Sequence, residues 1–322
     1  MNDSKRYAIC ICDDLDKDHV GPRVLEALLR RAEPTPTHLR VDGRPVLRTE
    51  PLHGVEYLIA RTADVLSHDY EYCLPQLAGV LDAVSAVAVV NWHEGASAPD
   101  DICCVHTTAE VADGFFPPAD PVFTGAMLRS IEAARRARGL ERFQTLTEGT
   151  HWSGTQYASP ASRVMDCLVP VIDVEIGSAP GAWSDPEAAD VLAEGVLGVG
   201  ASLRPDLPVV LYVGGIHFER SMSEVVLGDR PPFDVDPAHI LPNQWVAHAG
   251  YEGPEGVGRL VRCARSVRGG VHALAFHDKL QGSVKASVRG AAEQLGVPCH
   301  NHKQLRKVGL SGLCARVGKV GG

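Results

Sequence analysis

The sequence predicts an α/β protein of three layers (α/β/α), in which helices cover both faces of a mixed, mostly parallel sheet. Two observations lead to this fold class. Apolar runs typical of buried strands alternate with helical patterns along nearly all of the 322 residues, and no internal repeat or low-complexity linker interrupts them. Because parallel strands need crossover connections, this alternation favours a sheet with helices on both faces.

The N-terminal part of the chain begins with a strand, a loop and a helix. The strand is predicted at YAICIC, and the helix at GPRVLEALLRRAE, where apolar residues repeat at helical spacing before the break at PTPT. A hairpin is predicted at HLRVDGRPVLRTE, since Asp42-Gly43 suits the positive φ angles of a tight turn. Further strands are predicted at GVEYLIART and at residues 85–92, SAVAVVNW. The second of these strands leads directly into His93-Glu94.

The rest of the chain continues the alternation. Residues 120–139 have the periodicity, the basic last turn and the terminal glycine of a capped helix, and a strand follows at FQTLTEG. On the strand predicted at residues 169–178, Asp173 and Glu175 face the same side because they lie two positions apart. The remaining elements are a helix at SDPEAADVLAEGVLGVG, a strand at LPVVLYVGGIHF, a loop at AHILPN, a strand at VHALAFHDKL and a last helix at SVKASVRGAAEQLG.

These elements predict one α/β domain over residues 1–302, with a basic, glycine-rich tail over residues 303–322. A boundary near RPDLP at residues 204–208 is the two-domain alternative. The tail carries lysines and arginines with no acid to offset them, so it is either a phosphate-seeking segment or a solvated terminus.

The composition excludes several classes of protein. The formal charge of −9 argues against binding a long nucleic-acid duplex, which requires a basic surface. No apolar run approaches the ~20 residues needed to cross a bilayer, and the N-terminus turns acidic where a signal peptide would stay apolar. The nine cysteines form neither a disulfide framework nor a CxxC zinc module. We expect a cytoplasmic monomer that contacts no membrane.

Polar residues gather where the predicted strands end. Five histidines follow an apolar strand or lie in the loop that leaves it, namely His93, His106, His151, His217 and His277. Since the ends of parallel strands meet at one edge, these histidines, together with Glu148, Asp173, Glu175 and His239, predict a metal site or an acid/base site. Spacing does not choose between the two, because no HxxxH, HExxH or HxH cluster among these residues fixes a zinc.

The order of these motifs resembles the archaeal and plant type of D-aminoacyl-tRNA deacylase. The likeness runs from about Tyr7 to Cys299 and rests on four short motifs. They are Glu-x-Thr-His at residues 148–151, VEIGS with the following tryptophan at residues 174–183, Gly-Gly-x-His at residues 214–217, and His-Ile-Leu-Pro at residues 239–242. Several such motifs in the right order are more specific than any one of them.

The resemblance implies a phosphorylase- and peptidyl-tRNA-hydrolase-like fold and zinc-assisted hydrolysis of the ester between an amino acid and the 3'-terminal ribose of tRNA. The partner is then the 3' end of an aminoacyl-tRNA or a small aminoacyl substrate. The expected catalytic residues are Glu148, Thr150, His151, Glu175 and His217. The expected Zn²⁺ ligands are His93, His106, His151 and His217. The expected substrate contacts are Trp152, Gly214, Gly215, Arg220, His239, Asn243 and Lys279.

The chain departs from the family at the rim of the expected site. Trp152 stands where the family has a second histidine, and Ser221 and Asn243 stand where it has lysines. Because lysines are natural contacts for RNA phosphates, Arg220 or the basic tail would have to replace them. Trp152 would offer a stacking or apolar wall in place of the lost imidazole.

Two other functions stay open at this point. Loss of the lysines and gain of Trp152 favour an acyl transferase or amide hydrolase of small-molecule metabolism on the same scaffold. Alternatively, the chain binds an aminoacyl or nucleoside ligand without turnover.

Overall fold

Two sheets are present in the computed structural model, which describes residues 5–95, 98–228, 235–247 and 250–308. The strands are β1 (Lys5–Cys12), β2 (Thr35–Val41), β3 (Arg44–Arg48), β4 (Val55–Thr62), β5 (Ala86–His93), β6 (Asp101–Thr107), β7 (Gln144–Thr147), β8 (Val171–Ser178), β9 (Val209–Val213), β10 (Asp236–Leu241), β11 (Ala273–Phe276) and β12 (Cys299–Asn301).

Helices connect most of these strands. They are α1 (Gly21–Ala32), α2 (Tyr70–Leu81), α3 (Pro121–Ala137), α4 (Pro180–Trp183), α5 (Pro186–Leu197), α6 (Val199–Ser202), α7 (Arg220–Leu227), α8 (Asn243–Val246), α9 (Gly253–Ser266), α10 (Gly282–Leu295) and α11 (His302–Val308), with 3-10 turns at Ser153–Tyr157 and Ala161–Asp166. Within the described ranges, no helix combines the length and apolar character that a bilayer crossing requires.

The large sheet has eight strands in the order β2-β3-β4-β1-β5-β8-β6-β7. Its centre, β4-β1-β5-β8, is parallel, whereas β6 runs antiparallel to β8 and the β2-β3 hairpin closes the other edge. Helices α1, α3 and α5 pack on one face, and α2 packs on the other. The predicted fold class, a mostly parallel mixed sheet between helical layers, is confirmed.

The second sheet is wholly parallel and has the order β10-β9-β11-β12. The sequence pattern predicted one sheet; the structure has a second one, which begins at Val209, directly after the loop at residues 204–208. One domain over residues 1–302 stays a prediction, as does a boundary at that loop. Residues 309–322 of the predicted tail lie outside the described residues.

Most predicted elements form, and the exceptions have physical reasons. The hairpin turn is confirmed, with positive φ at Asp42 and Gly43. The loop predicted at AHILPN was wrong: Ala238, Ile240 and Leu241 are buried there, and the segment pairs with β9 as strand β10. Helix α2 was missed because its apolar residues are interrupted by a proline at Pro75.

The segment after β7 joins the two sheets. The amide of Glu148 donates to the Val105 carbonyl in the large sheet, at 3.0 Å. The next amides turn to the second sheet: Gly149 donates to the His217 carbonyl at 2.8 Å and Thr150 to the Ile240 carbonyl at 2.7 Å. The Ile240 amide returns a bond to Thr150 Oγ1 at 3.0 Å. This segment is therefore held at both ends by main-chain bonds.

Helix α3 forms a second junction. Arg129 on α3 and Asp236 on β10 form a buried ion pair with Nη1 and Oδ1 2.9 Å apart. Gly125, one turn earlier on α3, leaves room for it: a Cβ at that position would lie 1.9 Å from Asp236 Oδ1. Because a broken buried ion pair leaves an uncompensated charge, this glycine is required by packing rather than by backbone conformation.

We expect Gly125→Ala to destabilise the fold by about 3 kcal/mol, although alanine is the better helix former. The added methyl group would separate Asp236 from Arg129. Gly258→Ala on α9 is the matched control, because its Cβ would meet only Arg262 Nη1, at 3.5 Å. Urea unfolding of both variants measures the difference, and equal midpoints for the two would contradict the packing argument.

Candidate active site

A cavity of about 830 Å³ lies between the end of β5, the segment after β7 and the loops that follow β9 and β10. Its floor carries Glu148 and Glu175, and its walls include the imidazoles of His93, His151 and His217. The two sheets contribute side chains to the same space. Cavities of this size take drug-sized ligands, which identifies it as the candidate site.

The carboxylate of Glu148 is the centre of the site. Its side chain is fully buried, and Oε1 lies 2.5 Å from His217 Nε2, 3.4 Å from His93 Nε2 and 3.7 Å from His151 Nδ1. Burial by itself would raise the pKa of Glu148, but the surrounding imidazoles, His106 foremost, hold it well below its usual value. Glu148 is therefore a permanent buried anion.

His106 supplies positive charge next to this anion. It lies near the C-terminal end of β6, and its Nε2 is 3.8 Å from Glu175 Oε1 and 4.0 Å from Asp173 Oδ2. Burial would lower the pKa of His106, but the carboxylates, led by Glu148, outweigh it and raise the pKa to about 10. The antiparallel pairing of β6 with β8 sets His106 opposite Asp173, which explains this contact.

His151 is neutral, although it stacks on His106 with ring centroids 4.0 Å apart. Burial, reinforced by the repulsion from His106, lowers the pKa of His151 to about 3. Its Nδ1–H donates to the Gly149 carbonyl at 2.9 Å, which leaves Nε2 with a lone pair. This lone pair can bind a metal ion.

His217 and His93 are each oriented by a second partner. The side-chain amide of Gln244 donates to His217 Nδ1 at 3.2 Å, so that Nε2–H of His217 donates to Glu148. His93 Nδ1 contacts Ser178 Oγ at 2.7 Å. Burial would lower the pKa of His93, but the Glu148 carboxylate reverses the effect and raises it.

The two acids of β8 have different surroundings. Asp173 is satisfied by Ser67 at 2.5 Å, Asn91 at 2.9 Å and Thr108 at 3.1 Å, which suits a structural group. Glu175 lines the cavity and accepts a bond from the Cys104 thiol at 3.6 Å. Burial raises the pKa of both carboxyl groups. Glu148 and Glu175 are the two acids on the cavity floor. Because the pKa of Glu175 is raised and that of Glu148 is lowered, Glu175 is the better proton acceptor.

The donor set fits a zinc ion. His93, Glu148 and His217 form one group, and His106, Glu148 and His151 form another, with candidate ligand atoms within 4.8 Å of one another in each. Imidazole and carboxylate are usual zinc ligands. Among the described residues, Glu148 Oε2 is buried without a hydrogen-bond partner, as expected of an oxygen that a cation would satisfy.

Thr150 and His239 lie behind the cavity. Thr107 Oγ1 is 2.7 Å from Thr150 Oγ1 and 3.0 Å from His239 Nδ1, and all three residues are buried. Burial lowers the pKa of His239 to about 3. The sequence interpretation assigned Thr150 to catalysis and His239 to substrate contact; the structure gives both a position that supports the segment carrying Glu148.

Several expected site residues lie elsewhere. Trp152 is only 2% exposed and packs on Tyr70 in the core, so it forms no cavity wall. Arg220 bonds to Gln144 on the surface, and Lys279 is exposed outside the cavity. His277 lies 3.8 Å from Glu219 at the end of the second sheet and does not line the cavity.

The two glycines after β9 shape the loop that carries His217. Gly214 and Gly215 have φ of +103° and +85°, which side chains rarely adopt. A Cβ on Gly215 would also lie 2.7 Å from Glu219 Oε2. Gly215 and Asn243 line the cavity, whereas Gly214 packs under His277. The two glycines therefore contribute the backbone conformation of the loop that carries His217.

Sequence reasoning missed part of the lining. Gln244 and Trp245 follow Asn243 directly after the His-Ile-Leu-Pro motif, and that position was the available signal. Tyr157 lies in the 3-10 turn after the Glu148 segment. His68 precedes α2 and stacks on Tyr157 across a chain separation that no local pattern reveals.

Curated relatives and a solved structure resemble this chain. D-aminoacyl-tRNA deacylase of Methanoculleus marisnigri is 29% identical over 155 residues, 46% of this chain and 31% of that protein. The protein of the same name from Methanococcoides burtonii is 36% identical over 78 residues, 24% of this chain and 15% of that protein. The chain thus spans about a third or less of these relatives.

The crystal structure of AF0625, a conserved protein of unknown function, superposes with a TM-score of 0.75 at 20% identity. The alignment covers 95% of this chain and 98% of that one, and at this identity it shows a shared fold. The family described as D-aminoacyl-tRNA deacylase matches residues 81–300, which include the Glu148 carboxylate and its imidazole partners. Since this match covers more than half of the sequence, the chain belongs to the D-aminoacyl-tRNA deacylase family.

Proposed function

We propose that this chain hydrolyses the ester bond of an aminoacyl-tRNA, releasing the amino acid from the 3'-terminal ribose. The observation that carries the proposal is the buried Glu148 carboxylate, which contacts three imidazoles at the floor of a cavity of about 830 Å³. Family membership supports the same reaction. The place of action would be the cytoplasm, where aminoacyl-tRNAs are used.

Ester hydrolysis needs a proton acceptor for water, a stabiliser for the oxyanion and a proton donor for the leaving ribose oxygen. Glu175 can accept the proton, since it lines the cavity and burial raises its pKa. His106 supplies positive charge, and the Glu148 carboxylate raises the pKa of both His106 and His93. Gln244 holds His217 in the tautomer that donates to Glu148.

Zinc would be held by His93, Glu148 and His217, or by His106, Glu148 and His151. Bound there, it would polarise the ester carbonyl and lower the pKa of water. Protons compete with a metal ion for imidazole and carboxylate ligands, so the affinity for zinc should fall in acid.

The alternatives receive less support from the structure. Trp152 was one reason to consider an acyl transferase or amide hydrolase, and its position in the core removes that reason. A ligand-binding protein without turnover would not require a buried anion with charged imidazoles at the floor of its cavity.

Glu148→Gln should reduce kcat/KM for D-aminoacyl-tRNA at least ~100-fold, because His106 and His93 lose the anion that raises their pKa. Release of the amino acid from D- and L-aminoacyl-tRNA measures this effect. Glu94→Gln is the matched control, since Glu94 lines the same cavity without any imidazole contact among the described residues, and it should stay within about threefold. Equal losses in both variants would remove Glu148 from its central role.

The purified protein should contain zinc, and His93→Ala and His217→Ala should each lower its zinc content. Dialysis against a chelator should abolish deacylation, and added zinc should restore it. His53→Ala serves as the control because His53 is exposed and lies outside the cavity. If deacylation survives both the chelator and His217→Ala, the reaction requires no metal ion, and the remaining imidazole and carboxylate groups catalyse it alone.

A further inference from the structure

One wall of the cavity is aromatic and takes no part in the chemistry described above. Tyr157 and His68 stack with ring centroids 3.8 Å apart and planes at 16°, and Trp92 meets His68 edge-on at 5.2 Å. All three residues line the cavity. Tyr157 is 51% exposed although His68 covers one face of its ring, so a large part of the ring is open to a ligand.

The wall is uncharged. His68 is buried under Tyr157, and burial lowers the pKa of His68 to about 4, so its ring is neutral at physiological pH. Gln156, the neighbour of Tyr157, also lines the cavity and has no hydrogen-bond partner among the described residues. A flat surface with an unpaired amide beside it suits a flat ring with polar edges.

The charges of the cavity restrict what this ring can belong to. The acids Glu94, Glu148 and Glu175 line the cavity, and among its described lining residues none is a lysine or arginine. The cavity therefore offers phosphates no lysine or arginine partner, which favours a nucleoside held by contacts without charge. Stacking of a base on an aromatic ring is such a contact.

We propose that Tyr157, His68 and Trp92, with Gln156 at the edge, bind the adenine ring of the substrate's 3'-terminal nucleoside. This inference rests on the proposed function, because that substrate joins an amino acid to a terminal adenosine. The wall and the Glu148 cluster line one cavity, and Trp92 and His93 are consecutive on β5. When adenine binds at the wall, the ester bond of the same substrate therefore lies next to the imidazoles. The amide of Gln156 matches the N6 and N7 edge of adenine.

Titration of the whole protein with adenosine and with uridine tests the subsite without requiring turnover. We expect adenosine to bind more tightly than uridine. Tyr157→Ala should weaken adenosine binding about tenfold or more, whereas Tyr157→Phe should retain it, since the ring provides the stacking. Tyr72→Ala is the matched control, because Tyr72 is 41% exposed but lies outside the cavity. Gln156→Ala, a change at an exposed side chain, should reduce the preference for adenosine over uridine.

Kinetics distinguish adenine from the other source of a flat ring, an aromatic amino-acid side chain. If adenine binds at the wall, Tyr157→Ala raises KM equally for D-tyrosyl-tRNA and D-alanyl-tRNA. A rise confined to D-tyrosyl-tRNA, with adenosine affinity unchanged, overturns the proposal in favour of the amino-acid side chain. Unchanged adenosine affinity in both Tyr157→Ala and Gln156→Ala also overturns it.

Failure of the proposed function would look different. A wild-type protein that binds adenosine in a Tyr157-dependent way but releases no amino acid from any aminoacyl-tRNA would refute the deacylase activity and support the adenine subsite.

Discussion

The structure around the site depends on one buried negative charge. A carboxylate without solvent is unfavourable by many kcal/mol unless cations and hydrogen-bond donors surround it. Glu148 obtains them from His93 at the end of β5, His106 in β6 and His217 after β9. Each of these elements must therefore take its position for the anion to be tolerated. The main-chain bonds of residues 148–150 to both sheets fix the charge where these elements meet.

Much of the fold could be predicted from local patterns. The apolar runs of β1, β4, β5 and β8 and the Asp42-Gly43 turn are determined by burial and backbone conformation, which sequence periodicity records. The division into two sheets could not be predicted, since strand partners are chosen by tertiary packing. For the same reason the direction of β6, which brings His106 to Asp173, has no local signal.

The site was predictable in composition more than in arrangement. The expectation that strand ends meet at one edge holds for His93, His151 and His217, which line the cavity. The same expectation included His277, which contacts Glu219 outside the cavity. Trp152 shows the opposite limit: beside His151 in sequence, it turns into the core and leaves its indole nitrogen buried without a partner among the described residues. Sequence neighbours in an extended segment point to opposite sides, and the pattern alone does not say which side is the cavity.

The chain passes from the large sheet to the second sheet once, between β8 and β9. Residues on either side of that crossing supply different halves of one charge cluster, with Glu148 before it and His217 after it. Neither half can therefore be exchanged as a module: a fragment ending before residue 204 would keep the anion but lose its nearest proton donor. Recombination that shuffles the second sheet would have to carry the Gly-Gly-x-His loop with it.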